Sequence, residues 1–268
     1  MATNTSTADS AALSDAELLR YHRQILLPSW DIAAQERLKA ATVMIIGLGG
    51  LGCPVAQYLA AAGVGRLILI DDDHVEISNL QRQPLHTDAD IGRPKVQSAA
   101  DALRAINPQV QLVTVAERAD ATLLAHWLPE VAVIADCCDN FATRDLINAA
   151  AWAARVPVVS AAAIGWQGQL SVFDARVPNS PCYRCLYPDS LDAEQTCSDT
   201  GVMATTVGAM GSWQANEVLK VIAGVGTALV GQLLLWDGQQ ASVRTLRIPR
   251  DTRCPVCAAP ISSRSDVL

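Results

Sequence analysis

The 268-residue sequence has none of the features that mark membrane, secreted or nucleic-acid-binding proteins. Its apolar runs end before they reach the length of a membrane-spanning helix, and no basic segment followed by an apolar one opens the chain. The net charge of -7 and the pI of about 5.0 disfavour nucleic acid and anionic membranes as partners, because both surfaces are negative. We therefore predict a cytoplasmic protein with no nucleic-acid or membrane partner.

Two common catalytic groups are also scarce or missing. Only four histidines are present, and none stands out as a catalytic base. The lysine of a P-loop is absent, since Gly52 is followed by Cys53 and Pro54. An ordinary P-loop ATPase is therefore disfavoured.

The strongest motif present is the segment 42–71, which predicts a strand, a glycine turn, a helix and a second strand. Three of its glycines fit the pattern G-x-G-x-x-G, and Asp71 ends the second apolar run. Glycines let backbone N–H groups approach phosphate oxygens, while the carboxylate can accept hydrogen bonds from ribose hydroxyls. The segment indicates nucleotide binding; the alternative, a merely tight turn, leaves the acid unexplained. The glycines of the turn are Gly47, Gly49, Gly50 and Gly52.

The remaining segments predict one α/β domain over residues 13–268, preceded by a disordered tail over residues 1–12. Half of the residues are hydrophobic, which is enough for a substantial core. Apolar runs alternating with helical patterns favour a Rossmann-like parallel sheet with helices on both faces. Later runs are spaced irregularly and predict antiparallel strands that extend the sheet. We expect further strands at 110–115, 131–135, 156–160, 169–174, 233–236 and 242–248, and helices at 15–27, 32–40, 92–106, 122–128, 142–154 and 203–222.

Polar side chains cluster where the strands of this sheet are expected to end. Asp73, Asn79 and Arg82 follow the second strand, and Asp139 follows a later buried strand. Lys95 lies in the first turn of a predicted helix, where the helix dipole disfavours a cation, so it indicates an anionic ligand. The alternative explanation is a solvated polar loop.

Four of the eight cysteines form two C-x-x-C pairs, and four thiolates are the ligands of a closed structural zinc site. A redox role for one pair is the weaker alternative. Cys53, Cys137 and Cys138 are expected to pack in the core, whereas Cys197 lies in a polar segment where a thiol would be available to a partner. The paired cysteines are Cys182, Cys185, Cys254 and Cys257.

Taken in order, these motifs resemble the adenylyltransferases that activate sulfur-carrier proteins. This ThiF and MoeB group is related to the ubiquitin-activating enzymes, and the resemblance spans roughly residues 19–257. The matching motifs are GLGGLG, DDD, SNLQRQ, RPK, D-x-x-DN, PCYRCL and CPVC. The resemblance implies a homodimer that uses ATP, Mg²⁺ and a structural Zn²⁺ held by the four paired cysteines. Two positions depart from the usual pattern: Cys138 stands where threonine is usual and Thr205 where proline is common.

The resemblance also implies residue roles. Asp71 would hold the ribose, Arg82 and Lys95 the phosphates of ATP, and Asp139 the magnesium, with Asn79, Asp73 and the glycine turn beside them. Arg23, in the YHRQ match, would reach across the dimer to the partner's phosphates. Cys197 would form a covalent link to the activated carrier during sulfur transfer.

The reaction implied is nucleotidyl transfer to the C-terminal glycine carboxylate of a ubiquitin-like carrier ending in Gly-Gly. Both reactants are anions, so cationic side chains and magnesium must neutralise charge, while the nucleophile needs no base because it is already ionised. The motifs CYRCLYPD, IGWQGQL and LLLWDG favour the thiamin pathway, with molybdenum cofactor biosynthesis as the alternative. No rhodanese-like segment follows Cys257, so we expect a separate sulfur donor, a cysteine desulfurase or a rhodanese-like protein.

Two rivals of other classes stay open at this point. A nicotinamide-dependent dehydrogenase would share the glycine turn and Asp71, but it gives no role to Arg82, Lys95 and Asp139 together. A zinc-stabilised nucleotide sensor or scaffold would share every binding feature and lack only turnover.

Overall fold

A computed structural model describes residues 12–188 and 201–258, and one mixed sheet of eight strands organises them. Five strands run parallel and three are added antiparallel. The parallel strands are β1 (Thr42–Ile46), β2 (Arg66–Ile70), β3 (Gln111–Val115), β4 (Val133–Asp136) and β5 (Val158–Ile164). The antiparallel strands are β6 (Gln167–Phe173), β7 (Gln232–Asp237) and β8 (Ser242–Arg247). Their order across the sheet is β3-β2-β1-β4-β5-β6-β7-β8, which confirms the predicted α/β class and its antiparallel extension.

The helices of the described residues cover both faces of this sheet. They are α1 (Asp15–Arg20), α2 (His22–Ile25), α3 (Ile32–Ala40), α4 (Gly52–Ala62), α5 (Lys95–Ile106), α6 (Ala121–Trp127), α7 (Phe141–Ala154), α8 (Tyr183–Leu186) and α9 (Ala204–Ala223). Alternate residues of β1 point to opposite faces: Val43 and Ile45 pack with α3, α4, α5 and α9, whereas Met44 and Ile46 pack with α6 and α7. The strands β1, β2 and β4 are buried on both faces, as their apolar runs predict, whereas β8 is exposed along its whole length.

The first predicted helix, over residues 15–27, is wrong in one respect, because it breaks at Tyr21. The capping box of Ser14 and Glu17 starts α1 as predicted. The Tyr21 ring is buried against Gly63, where an added Cβ would lie 2.4 Å from it, and its hydroxyl accepts a hydrogen bond from Asn107 Nδ2 at 2.9 Å. This anchor redirects the chain between α1 and α2.

Two predictions fall wholly or mainly outside the described residues. They are the disordered tail over residues 1–12, of which only the last residue is described, and the reactive thiol of Cys197. Among the helices that are described, none combines the length and apolar character that crossing a membrane requires.

Candidate functional site

A cavity of about 720 Å³ opens at the carboxyl ends of β1, β2 and β4. The strand order reverses between β1 and β4, and open α/β sheets bind their ligands in the crevice at such a point. The predicted site residues that line it are Gly47, Gly49, Gly50, Asp71, Asp73, Asn79, Arg82, Lys95 and Asp139. The fold therefore gathers into one crevice residues that are far apart in the sequence.

The glycine turn between β1 and α4 is sterically closed to larger residues. Gly47 has a φ of +92°, and a Cβ there would lie 2.8 Å from the carbonyl oxygen of Cys137. A Cβ on Gly52 would lie 1.9 Å from the carbonyl oxygen of Gly47. Gly52 does not line the cavity, so its place in the motif is explained by this close approach at the start of α4.

Asp71 directly follows β2 and holds the backbone at the glycine turn and at the start of the next loop. Its Oδ2 accepts the N–H of Leu48 at 2.6 Å, and its Oδ1 accepts the N–H of Asp73 at 2.8 Å. Burial raises the pKa of Asp71, and the nearby charge of Lys95 opposes that rise. Each carboxylate oxygen has a second lone pair, which leaves acceptor capacity for a ribose hydroxyl.

Lys95 begins α5 and is almost completely buried, with 7% of its side chain exposed. Its Nζ donates to Asp73 Oδ2 at 2.7 Å, whereas the Asp73 side chain is 68% exposed. An ammonium group has three N–H donors, so Lys95 can keep this partner and still bind an anion in the cavity. Because Asp73 already supplies one negative partner, the position of Lys95 at the helix start does not by itself require an anionic ligand. The ligand therefore stays a prediction.

Asn79 ends the short helical turn Ile77–Asn79, and Arg82 lies in the turn that follows it. The Oδ1 of Asn79 accepts the N–H of Glu76 at 3.3 Å, which closes a capping box on this turn. Arg82 donates to the carbonyl oxygen of Ser78 at 2.9 Å. No ion pair joins Arg82 to a carboxylate in the described part of the chain, so its guanidinium keeps donors for a phosphate.

Asp139 is an exposed carboxylate just beyond β4, at the rim of the cavity. Its Oδ1 accepts a hydrogen bond from Asn140 Nδ2 at 3.3 Å, and it forms no ion pair with the described basic side chains. A free carboxylate beside a nucleotide cavity is the kind of ligand that Mg²⁺ prefers. The residue chemistry therefore fits a magnesium ion there.

The turn that carries Asp139 rests on a buried ion pair that sequence analysis missed. Arg144 lies 3.5 Å from Asp136 and donates to Ser160 Oγ at 3.0 Å and to the carbonyl oxygen of Ala161 at 2.7 Å. Arg144 also donates to the carbonyl oxygen of Cys138, next to Asp139. Burial alone would lower the pKa of Arg144, but the charge of Asp136 together with the neighbouring tyrosines and Cys138 outweighs it and raises that pKa. The guanidinium therefore stays charged inside the protein.

Gln214 of α9 is a second buried polar residue that the sequence analysis missed. Its Nε2 donates to the carbonyl oxygens of Asp136 at 2.8 Å and Val159 at 2.9 Å, bridging β4 and β5. A sequence signal was available, because Gln214 falls four residues from both Met210 and Val218 on the apolar stripe of α9. A polar residue in such a stripe indicates a buried hydrogen-bonding role.

The four paired cysteines come together as predicted, away from the cavity lining. Their Sγ atoms all lie within 4.8 Å of one another, with 3.5 Å between Cys182 and Cys254 and 3.3 Å between Cys185 and Cys257. Zinc–sulfur bonds of about 2.3 Å in a tetrahedron place sulfurs about 3.8 Å apart, so the cluster fits one ion.

The other predicted functional residues fall outside this crevice or outside the described residues. Arg23 lies exposed on α2 and does not line the cavity of its own chain. Cys53, Cys137 and Cys138 are buried, which confirms that they pack in the core. Burial raises the pKa of the Cys53 thiol to about 12, so it is not a nucleophile near pH 7.

The comparison with protein families decides the relationship that the motifs indicate. The family model described as "ThiF family" matches residues 21–256. The chain belongs to the ThiF family. Among curated members it is 47% identical to the molybdopterin-synthase adenylyltransferase of Escherichia coli K12, covering 92% of this chain and 99% of that protein. It is 44% identical to the sulfur carrier protein ThiS adenylyltransferase of the same organism, covering 91% of this chain and 97% of that one.

A solved structure shows the same fold in a more distant ThiF-like chain. The structure of Escherichia coli MccB with MccA-N7isoASN superposes with a TM-score of 0.79 at 23% identity, covering 94% of this chain and 77% of that one. At this identity the likeness supports the architecture alone. It matches the mixed sheet with its parallel core and antiparallel extension.

Proposed function

We propose that this chain is an ATP-dependent adenylyltransferase that activates the C-terminal glycine carboxylate of a small ubiquitin-like sulfur-carrier protein. The observation that carries the proposal is the cavity at the β1/β4 reversal, where the glycine turn meets the cations Arg82 and Lys95 and the carboxylate of Asp139. Relatives named adenylyltransferases of molybdopterin synthase and of ThiS support it. The binding features alone would also suit a nucleotide sensor that catalyses no reaction. The AMP-adduct measurement described below distinguishes the enzyme from such a sensor.

The reaction follows from the charges of its components. The carrier's carboxylate attacks the α-phosphorus of ATP, the bond to the β-phosphate oxygen breaks, and pyrophosphate leaves with the released electron pair. Arg82 and Lys95 face the cavity and bind the phosphates, while Asp71 accepts hydrogen bonds from the ribose. A magnesium ion on Asp139 would supply charge neutralisation of the leaving pyrophosphate. No side chain needs to remove a proton, because the attacking carboxylate is already ionised.

Arg23 completes the proposed site only in a dimer. Within its own chain it is exposed on α2 and outside the cavity lining, so its predicted role requires the partner's cavity. Mixing Arg23→Ala with Asp139→Ala protein would then restore one intact site per heterodimer and recover activity that neither variant has alone. Failure to recover activity after verified subunit exchange would reject the shared site.

A structural zinc is the second part of the proposal. The four-cysteine cluster fits a tetrahedral ion, and all its ligands are sulfur, which is typical of closed structural sites rather than catalytic ones. The ion would tie the segment around Cys254 and Cys257 to that around Cys182 and Cys185. Such a tie supports a single domain over residues 13–268.

The pathway is the finest level of the proposal. Identities of 47% and 44% to relatives of the two pathways do not separate them, so the preference for thiamin stays a prediction. Each purified carrier, the ThiS type and the small subunit of molybdopterin synthase, is therefore incubated with ATP, Mg²⁺ and the protein. Intact mass spectrometry then reports AMP attached to the carrier.

We expect an AMP adduct on one carrier and none when its terminal glycine is removed. Adduct on the truncated carrier, or on neither carrier while ATP binds normally, would reject the adenylation. An adduct on the molybdopterin-type carrier alone would reject the thiamin assignment and leave the reaction standing. The proposed covalent link to Cys197 and the delivery of sulfur by a separate donor follow adenylation. Both are measured only as thiocarboxylate formed on the carrier.

A further inference from the structure

His86 lies buried directly behind the glycine turn and holds it from the side opposite the cavity. The residue is 4% exposed. Its Nε2 lies 3.2 Å from the carbonyl oxygen of Leu48, and its Nδ1 lies 2.8 Å from Ser98 Oγ on α5. Cys53 Sγ lies 3.7 Å from Nε2 and donates to the same Leu48 oxygen at 3.3 Å. One ring therefore links α5 to the second residue of the turn.

The hydrogen bond to the Leu48 carbonyl requires one tautomer of this ring. A carbonyl oxygen only accepts, so Nε2 must carry a proton to bind Leu48. Burial lowers the pKa of His86, and the charge of Lys95 acts in the same direction, so the ring is neutral near pH 7. A neutral ring with a proton on Nε2 has a lone pair on Nδ1, which accepts the hydroxyl proton of Ser98. Asp90 also hydrogen-bonds the Ser98 side chain and competes for that single proton.

The contact with Leu48 decides where the next N–H group points. No peptide bond in the described residues is cis, so the carbonyl of Leu48 and the N–H of Gly49 point in opposite directions. The carbonyl faces His86, which turns the Gly49 N–H the other way. Gly49 lines the cavity, and its N–H donates to none of the described residues. The N–H of Leu48 itself is held by Asp71 at 2.6 Å.

We propose that His86 is a positioning residue for nucleotide phosphates: its Nε2–H holds the Leu48 carbonyl inward, so that the Gly49 N–H is preset toward a phosphate oxygen. This rests on the proposed function only in taking the ligand to be a nucleotide. The phosphate contact is charge-assisted, and the fold sets the direction of the Gly49 N–H before the ligand binds.

The test compares ATP with adenosine, because a phosphate-positioning role affects only the first. His86→Phe fills the site without a donor, and we expect it to weaken ATP binding about tenfold while leaving adenosine binding within twofold. His86→Gln can place an amide donor near Nε2 and should recover most of that loss. His126→Phe, an exposed histidine on α6, is the matched control and should bind both ligands like the wild type. Equilibrium titration gives the dissociation constants of both ligands for the wild type and the three variants.

Proton placement is checked on the wild-type protein, so the proposal does not depend on a variant that folds poorly. Nitrogen-15 NMR of histidine-labelled protein should show His86 neutral with its proton on Nε2. A proton on Nδ1, the arrangement in which Ser98 donates to Asp90, would overturn the proposal, as would equal weakening of ATP and adenosine. Wild-type protein that binds no ATP would instead reject the proposed function itself and the phosphate role with it.

Discussion

Arg144 keeps its charge although only 7% of its side chain is exposed, at the lining of the cavity. Its guanidinium contacts Asp136, Ser160 and two carbonyl oxygens at once, so removing it takes one partner from each of these buried groups. We expect Arg144→Met to lower the free energy of unfolding by about 3–5 kcal/mol, since Asp136 would be left charged and unpaired. Urea unfolding at pH 7 and fixed protein concentration measures the loss.

Arg104→Ala is the control for this measurement. Arg104 and its partner Asp101 are each 55% exposed, and a pair so exposed contributes less than about 1 kcal/mol. If Arg144→Met cost no more than Arg104→Ala, the buried pair would not support the turn that carries Asp139.

Sequence analysis identified the functional residues whose role follows from the local sequence pattern. Asp71 and Lys95 could be predicted because a strand end or a helix start, both visible in the local pattern, gives each its context. The hydrogen-bond partners of Gln214 and His86 could not be predicted, because they lie 78 and 38 residues away. Which buried amide or ring meets which carbonyl is decided by packing between elements, and a single sequence does not contain that register.

Helix α1 is an element whose stability depends on one charged group. Glu17 closes the capping box with Ser14 and accepts a hydrogen bond from Lys39 Nζ at 2.8 Å. Burial alone would raise the pKa of Glu17, but the contacts with Lys39 and Ser14 outweigh it and lower that pKa. A carboxyl group whose folded pKa is lowered stabilises above its unfolded pKa and loses that contribution as the pH falls through the folded value.

We therefore expect Glu17→Gln to lower the free energy of unfolding by about 1 kcal/mol at pH 7 and to match the wild type below the folded pKa. Asp15→Asn, at an exposed acid of the same helix, is the control and should change the free energy of unfolding at pH 7 by less than about 0.5 kcal/mol. Urea unfolding at several pH values tests this. A Glu17→Gln deficit of equal size at every pH would contradict the assigned charge effect.

The boundary between α1 and α2 shows why element ends were harder to predict than element types. The pattern over residues 15–27 is helical throughout, and the break at Tyr21 comes from its contacts with Gly63 and Asn107. A long-range anchor overrides local propensity there. Elsewhere the predicted strands and helices exist, with ends that differ from the prediction by a few residues.

The described residues after β8, 248–258, carry Cys254 and Cys257 and contain no strand or long helix. We expect Cys254→Ser to lose the zinc and to lower the thermal midpoint by about 10 °C, because a metal that closes so long a loop restricts the unfolded chain. Chelation of the wild type should reproduce the shift, and Cys197→Ser should keep one zinc per chain. Freshly purified protein without zinc, or an unchanged midpoint after chelation, would contradict the structural site.

At the scale of the whole molecule, an acidic chain must bind an acidic nucleotide. The net charge of -7 repels ATP at long range, so binding depends on the cations and backbone donors concentrated at the β1/β4 reversal. The overall architecture could be predicted because strand–helix alternation and the glycine turn are local signals. The resemblance to the ThiF group supplied the roles of Arg23 and Asp139, which composition and spacing alone do not assign.

ATP–pyrophosphate exchange tests the adenylation most directly. Wild-type protein should exchange labelled pyrophosphate into ATP only when a carrier with a free C-terminal glycine carboxylate is present. Asp139→Ala should reduce the rate by at least about a hundredfold, because the leaving pyrophosphate would lose its magnesium ligand. Asp88→Asn, another exposed acid that does not line the cavity, is the control and should exchange like the wild type. Exchange at full rate without any carrier, or unaffected by Asp139→Ala, would contradict the account.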